Sequence, residues 1–188
     1  MINHVDLSSV LRQTLACDLY SNLVTRPTGA AVRGQIEEML SDSGPRALTV
    51  IDFSHVSMID LSCADEVVAK LLLRYGAENS AQEAYFLFRG VTEDHHDAIE
   101  AVLERHELVA ALEEEDGVRL LGTITDDERH AWDAVCAFGE DGGDATEVGL
   151  RMGCAVDAAE HVLETLWRRR VMMRVDERFV AVGTARGG

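Results

Sequence analysis

Aspartates and serines crowd one stretch of the sequence, VIDFSHVSMIDLSCADEV at residues 50–67, where an apolar run gives way to polar residues and then to a helix start. Asp52 and Asp60 flank the end of that run. Two carboxylates so placed suit a general acid paired with a base, or two ligands for a cation, and loop polarity is the plainer alternative. Ser62 opens the helix that follows. A phosphoryl group there would meet free backbone N–H groups and the positive end of the helix dipole. The same serine also fits a structural role as helix cap, with Asp65 completing a capping box. Ser54, two residues after Asp52, joins Asp52, Asp60 and Ser62 as the candidate surface for a phosphoryl group or a partner.

The rest of the chain offers little catalytic chemistry. Glu66 lies one helical turn beyond Ser62, but neither a nucleophile–base pair nor a glycine-rich phosphate loop occurs, so no enzyme is expected. His95 and His96 sit among Glu93, Asp94 and Asp97. Adjacent helical residues point about 100° apart and so do not readily close on one ion. They read as the solvated, acid-rich first turn of a helix, and no metal or cofactor is expected. Cys63 has no basic neighbour in sequence to lower its pKa and reads as a small buried residue.

Positive charge gathers late, at Arg168, Arg169 and Arg170 and then at Arg174 and Arg178, where it could meet phosphates. His161 and Thr165 are the polar residues of the preceding helix that could face bases. That helix, however, opens with Asp157, Glu160 and Glu164. The whole chain of 188 residues carries 34 acids against 17 Lys and Arg, a net charge of −17, which repels phosphate backbones and anionic lipid at long range. Any contact with nucleic acid therefore needs a local basic patch.

The elements that must position these residues fall into two parts. Helical spacing recurs at Val32, Ile36 and Leu40, at Val67, Val68, Leu71 and Leu72, and at Ile99, Val102 and Leu103. Between them lie strand candidates: ALTVIDFSHV at 47–56, AYFLFRG at 84–90, and LVAALEE with VRLLG at 108–122, paired around Glu115-Asp116-Gly117. Alternating strand and helix predict an α/β layer over residues 1–122. Thr125 and Glu128 then read as the capping box of a new helix bearing Trp132, Val135 and Cys136 on one face. Asp144 caps a short helix through Met152, Gly153-Cys154 turns the chain, and a longer helix carries Val156, Ala159, Val162, Leu163 and Leu166. VMMRV at 171–175 and RFVAV at 178–182 form a hairpin around Asp176-Glu177. Residues 123–188 thus read as a small α+β winged-helix domain.

Cys17, Cys63, Cys136 and Cys154 form no CxxC pair, and the first residues lack a basic segment leading into an apolar one. No run of about 18 apolar residues occurs. A cytoplasmic protein with no membrane contact is expected.

Ile51-Asp52-Phe53-Ser54, followed by Asp60-Leu61-Ser62, resembles the STAS domain over roughly residues 20–120. The pattern is closer to a bacterial STAS-like family of unknown function, echoed by Ile51 to Ser54, by Ser62 to Glu66 and by Thr25-Arg26-Pro27-Thr28-Gly29 with Val32-Arg33. The resemblance implies a mixed sheet with packed helices. In the anti-sigma factor antagonists of the STAS class, the serine after the loop aspartate is phosphorylated by a partner kinase, and that decides which partner is bound. Here Leu61 occupies that position and Cys63 replaces the usual glycine, which leaves Ser62 as the local candidate. Residues 144–183 resemble winged-helix transcription regulators, which implies that the second helix enters the major groove and the wing touches the backbone. Together the resemblances imply a regulator whose front module meets a kinase or a sigma- or anti-sigma-like protein and controls a DNA-binding module, with a homodimer doubling the basic contacts. The acidic helix supports the rival expectation, a partner-switching scaffold whose winged helix binds protein.

Overall fold

The computed structural model describes residues 2–10, 22–76 and 82–184; Cys17 lies outside them. The chain divides into two compact units, Met1–Thr123 and Ile124–Gly188.

The first unit runs β1 (Ile2–Asp6), β2 (Asn22–Leu23), α1 (Arg26–Ser41), β3 (Arg46–Asp52), β4 (Met58–Ile59) and α2 (Leu61–Ala64). It continues through a π-helical turn (Asp65–Ala69), α3 (Lys70–Gly76), β5 (Glu83–Arg89), α4 (Glu93–Arg105), β6 (Val109–Glu114) and β7 (Gly117–Gly122). Its main sheet has the order β1-β3-β5-β6-β7, parallel through β6 and antiparallel at β7. It is a mixed α/β structure with a mostly parallel sheet. Strands that follow one another in sequence order need a covering crossover each, and α1, the α2–α3 segment and α4 supply them.

These helices bury one face because their apolar residues recur every three or four positions: Val32, Ile36 and Leu40 on α1; Val67, Val68 and Leu71 at the π turn and α3; Ile99, Val102 and Leu103 on α4. They pack in a single core with Ile51 and Phe53, with Phe86 and Phe88 of β5, and with Ala110 and Leu112 of β6. The alternate residues Leu48, Val50, Tyr85, Leu87, Val109 and Ala111 are buried as well, which is why β3, β5 and β6 read as continuous apolar runs. Each fully buried Phe or Leu contributes about 1.5–3 kcal/mol.

Two expectations are corrected here. The strand expected through residue 56 ends at Asp52, because the Asp52 carboxylate accepts the N–H of Ser54 at 2.9 Å and turns the chain. His95 is not in a solvated turn; it is fully buried. It occupies the third position of α4, where its Nδ1 accepts the N–H of Thr92 at 3.1 Å and its ring packs 5.7 Å from that of Phe53. A histidine thus takes the capping-box place that glutamate usually fills.

The second unit contains α5 (Asp126–Cys136), a 3-10 turn (Gly139–Asp141), α6 (Ala145–Met152), α7 (Val156–Arg168) and an antiparallel hairpin of β8 (Met172–Val175) and β9 (Arg178–Ala181). Thr125 with Glu128 and Asp144 with Glu147 form the capping boxes that start α5 and α6. Gly153, at φ +70°, supplies the left-handed residue that ends α6. Trp132 and Val135 of α5, Val148 of α6, and Ala159, Leu163 and Leu166 of α7 are buried, as are Phe179 and Val180 of β9. No helix among the described residues is long and apolar enough to cross a membrane.

Candidate functional site

Asp60 is the hub of the Asp60–Ser62 segment. Its Oδ1 accepts the N–H of Cys63 at 2.7 Å and the hydroxyl of Ser62 at 2.8 Å, while its Oδ2 accepts the N–H of Thr25 at 2.8 Å. Asp60 is therefore the N-cap of α2, which corrects the expected cap at Ser62. The reason is register: the helix begins at Leu61, so the residue three before the Cys63 N–H does the capping. Partial burial works to raise the Asp60 pKa; the N–H groups of Thr25 and Cys63 and the Ser62 hydroxyl outweigh it and hold the carboxyl below its usual value.

Thr25 precedes α1 with φ +73° and ψ 137°. Positive φ in a β-branched residue is strained by about 1–3 kcal/mol and persists only where neighbours over-determine it. Three do so here. Asp60 takes the Thr25 N–H, and the Thr25 carbonyl accepts the N–H of Gly29 at 3.2 Å and the thiol of Cys63 at 2.9 Å. Burial, and then the charge of Asp60, push the Cys63 thiol up to about 12, so it is a hydrogen-bond donor and not a nucleophile.

Asp65 does not complete a capping box. The π turn carries Asp65 and Glu66, 7% and 2% exposed, into the packing between helices. One guanidinium nitrogen of Arg26 lies 2.7 Å from Asp65 and 2.8 Å from Glu66. Arg33 reaches Glu66 at 3.2 Å, Lys70 pairs with Glu66, and His106 Nε2 lies 2.8 Å from Asp65. Glu37 extends the network from Arg33, at 2.7 Å, to Arg74, at 2.9 Å. Burial works to raise the pKa of both acids; Arg26 with His106 for Asp65, and Lys70 with Arg26 for Glu66, more than offset it and hold both carboxyls low. Gly29 lets α1 come this close, since a Cβ there would lie 2.9 Å from the Cα of Cys63 and 3.1 Å from the Cβ of Glu66.

Asp52 and Ser54 belong to a different group. Arg89 donates to Asp52 Oδ2 through Nε at 2.8 Å and Nη2 at 2.6 Å. Ser54 and Arg89 line an open groove of about 630 Å³ with Gly90, Val91, Thr92 and Glu113 to Glu115. Asp52 bonds to Ser54 and Asp60 to Ser62, with no hydrogen bond from one pair to the other, so the pairing of Asp52 with Asp60 as acid and base is not formed. Among the described residues no three His, Cys, Asp or Glu side chains converge as a metal site would need.

In the second unit the arginines have partners close by, with Arg168 exposed. Arg169 pairs with Glu128 at 2.7 Å, and Glu128 at the same time accepts the N–H of Thr125 at 2.8 Å. Arg178 reaches Glu147 at 2.8 Å and the carbonyls of Asp141 and Gly142 at 2.9 and 2.7 Å. Arg168 meets Glu164 at 3.4 Å, Arg170 lies 6.0 Å from the ring of Trp167, and Arg174 lies 5.6 Å over the ring of Phe179. His161 is exposed on α7, and Thr165 donates its hydroxyl to the His161 carbonyl at 2.9 Å. Each of the five arginines expected at a phosphate-contacting face thus contacts a group of its own unit, while the His161 side chain is exposed.

Sequence reasoning missed Arg26, Arg33, Lys70 and His106 as partners of the buried acids. A signal was present: Asp65-Glu66 interrupts the apolar face of a helix, and buried acids require cations nearby. Compared with known proteins, the chain matches no family model, no curated protein and no solved structure.

Proposed function

We propose that the chain is a non-enzymatic regulator in which a STAS-like front unit switches protein partners through Ser62, and a winged-helix back unit carries the output. The observation that bears most weight is the shared carboxylate of Asp60, bonded at once to the Ser62 hydroxyl and the Thr25 N–H. A partner kinase transfers the γ-phosphoryl group of a nucleoside triphosphate to Ser62 Oγ, the diphosphate leaves, and the hydroxyl proton goes to solvent. The Ser62 hydrogen bond is lost, and about two negative charges arrive beside the ionised Asp60. Asp60 then gives up its hold, Thr25 relaxes from positive φ, and the entry to α1 changes shape. The surface affected includes the half-exposed side chains of Met58, Leu61 and Arg26, a suitable contact for a regulatory partner. Ser62→Ala and Ser62→Asp chains are expected to capture different partner sets from the native cell, compared by quantitative mass spectrometry. Identical sets from the two chains contradict the switch.

Two outputs are open to the back unit, DNA binding and protein binding. The second is favoured by α7, whose exposed first turns present Asp157 and Glu160 where phosphates would have to approach. The full chain is expected to leave the anisotropy of a labelled random duplex unchanged at low salt. Binding that falls steeply with added salt would restore the DNA-binding reading, with Arg168, Arg170 and Arg174 as its phosphate contacts.

A further inference from the structure

We infer that Arg26 is the receptor for the phosphoryl group on Ser62, and that phosphorylation draws its guanidinium from the buried acids onto the phosphate. The inference rests on the Ser62 switch and names the residue that reads it. Two sets of contacts place Arg26 beside Ser62. Asp60 bonds through one oxygen to the Ser62 hydroxyl and through the other to the N–H of Thr25, the residue before Arg26. Arg26 Nη1 donates to Asp65 at 2.7 Å and to Glu66 at 2.8 Å. These acids follow Ser62 by three and four positions, the spacing of neighbours on one helix face. The guanidinium therefore sits about one helical turn from Ser62, on the face that Ser62 occupies.

Charge makes a cation necessary there. A phosphoryl group adds about two negative charges to a serine that already has Asp60, Asp65 and Glu66 as neighbours. Among the basic partners of the two buried acids, Arg26 is the one free to turn. Its side chain is 51% exposed, against 24% for Arg33 and 38% for Lys70. Its Nε and Nη2, the edge that grips two phosphate oxygens at once, make no hydrogen bond among the described residues. Nor does its departure strand either acid. Glu66 keeps Arg33 and Lys70, and Asp65 keeps His106 at 2.8 Å and Lys70 at 3.9 Å. This retained pairing makes the exchange possible, because a buried carboxylate left without a partner is strongly destabilising. Arg33, by contrast, is held between Glu37 and Glu66, and Lys70 lies about two turns beyond Ser62.

The test is phosphorus NMR of the full chain carrying phosphoserine at position 62, titrated with pH at about 0.15 M salt, where distant charges are screened. The readout is the second ionisation of the phosphate, ordinarily near pH 6, because a guanidinium in contact favours the dianion. Its midpoint is expected to lie about one pH unit higher in the Arg26→Gln chain than in the parent. Arg74→Gln, which removes the same charge from the Glu37 end of the network, should leave it unchanged. The Arg26 Nε–H resonance of the parent chain needs no substitution and should move when the phosphoryl group is added. Equal midpoints in the parent and Arg26→Gln chains, a rise on Lys70→Gln alone, or an unmoved Arg26 resonance would overturn the receptor and leave the Ser62 switch standing. A chain isolated from the native cell with Ser62 unmodified under every growth condition would overturn the switch itself, whichever way the titration falls.

Discussion

The backbone N–H of Thr25 donates to the side chain of Asp60 at 2.8 Å, across 35 positions of sequence, and it does so from a strained backbone at φ +73°. One carboxylate thus fixes the start of α1 while capping α2. The strain of Thr25 and the cap of α2 are one energetic unit, because the group that holds the first also supplies the second.

This relationship sets opposite expectations for its two residues. Asp60→Ala removes a cap and leaves the Thr25 N–H unpaired, and it should cost about 2–3 kcal/mol in denaturant unfolding. Thr25→Gly releases the positive-φ strain at the cost of a looser unfolded chain, and it should be neutral or stabilising by up to about 1 kcal/mol. A Thr25→Gly chain that unfolds as easily as Asp60→Ala contradicts the assignment of strain.

The buried acids predict an order of effects. Glu66→Ala strips a nearly inaccessible carboxylate from Arg26, Arg33 and Lys70 together and should cost about 3–5 kcal/mol. Arg26→Ala should cost less, because Arg26 is half-exposed and Glu66 keeps two cations. Equilibrium denaturation of both variants checks the order, and equal costs would count against the network.

His95 predicts a pH dependence. Burial pushes its pKa down from the usual 6.5, and the Val56 carbonyl only partly opposes this. The neutral ring is therefore the folded form, and the unfolded chain binds a proton that the folded chain refuses. Stability from this residue is fully present above about pH 6.5 and is lost as pH falls below that value, with a slope of at most about 1.4 kcal/mol per pH unit. His95→Gln, which keeps an acceptor for the Thr92 N–H, should flatten the stability curve between about pH 6.5 and 5, above the range where the carboxylates titrate. An unchanged slope in that range would exclude His95 as its source.

In the second unit, Arg169 and Arg170 are neighbours with different duties. Arg169→Ala leaves Glu128 without its ion pair at the start of α5 and should lower unfolding stability by about 2 kcal/mol. Arg170→Ala loses a cation–π contact with Trp167 and should cost under about 1 kcal/mol. Calorimetry of the two variants decides it, and equal melting temperatures contradict the distinction.

How much of this was legible in the sequence depends on the range of the interaction. Elements set by local periodicity were readable: the apolar runs of β3, β5 and β6, and the capping boxes at Thr125 and Asp144. The π turn was not, since Asp65 and Glu66 are helix-compatible residues and three of the side chains that pair with them, Arg26, Arg33 and His106, lie more than thirty positions away. His95 was misread for the same reason, because the burial of its ring is decided by Phe53 on another element. At the candidate site the sequence marked Asp60 and Ser62 correctly as neighbours. It could not reveal Thr25, whose strain is a property of the backbone alone.

The most direct test of the proposed switch is amide hydrogen exchange at Thr25, compared between the unmodified chain and one carrying phosphoserine at position 62. Release of Asp60 predicts that protection of the Thr25 amide falls at least about tenfold on phosphorylation, while amides of β5 in the core keep theirs. Undiminished protection of Thr25 in the phosphorylated chain would contradict the switch, because Asp60 would then hold Thr25 in both states.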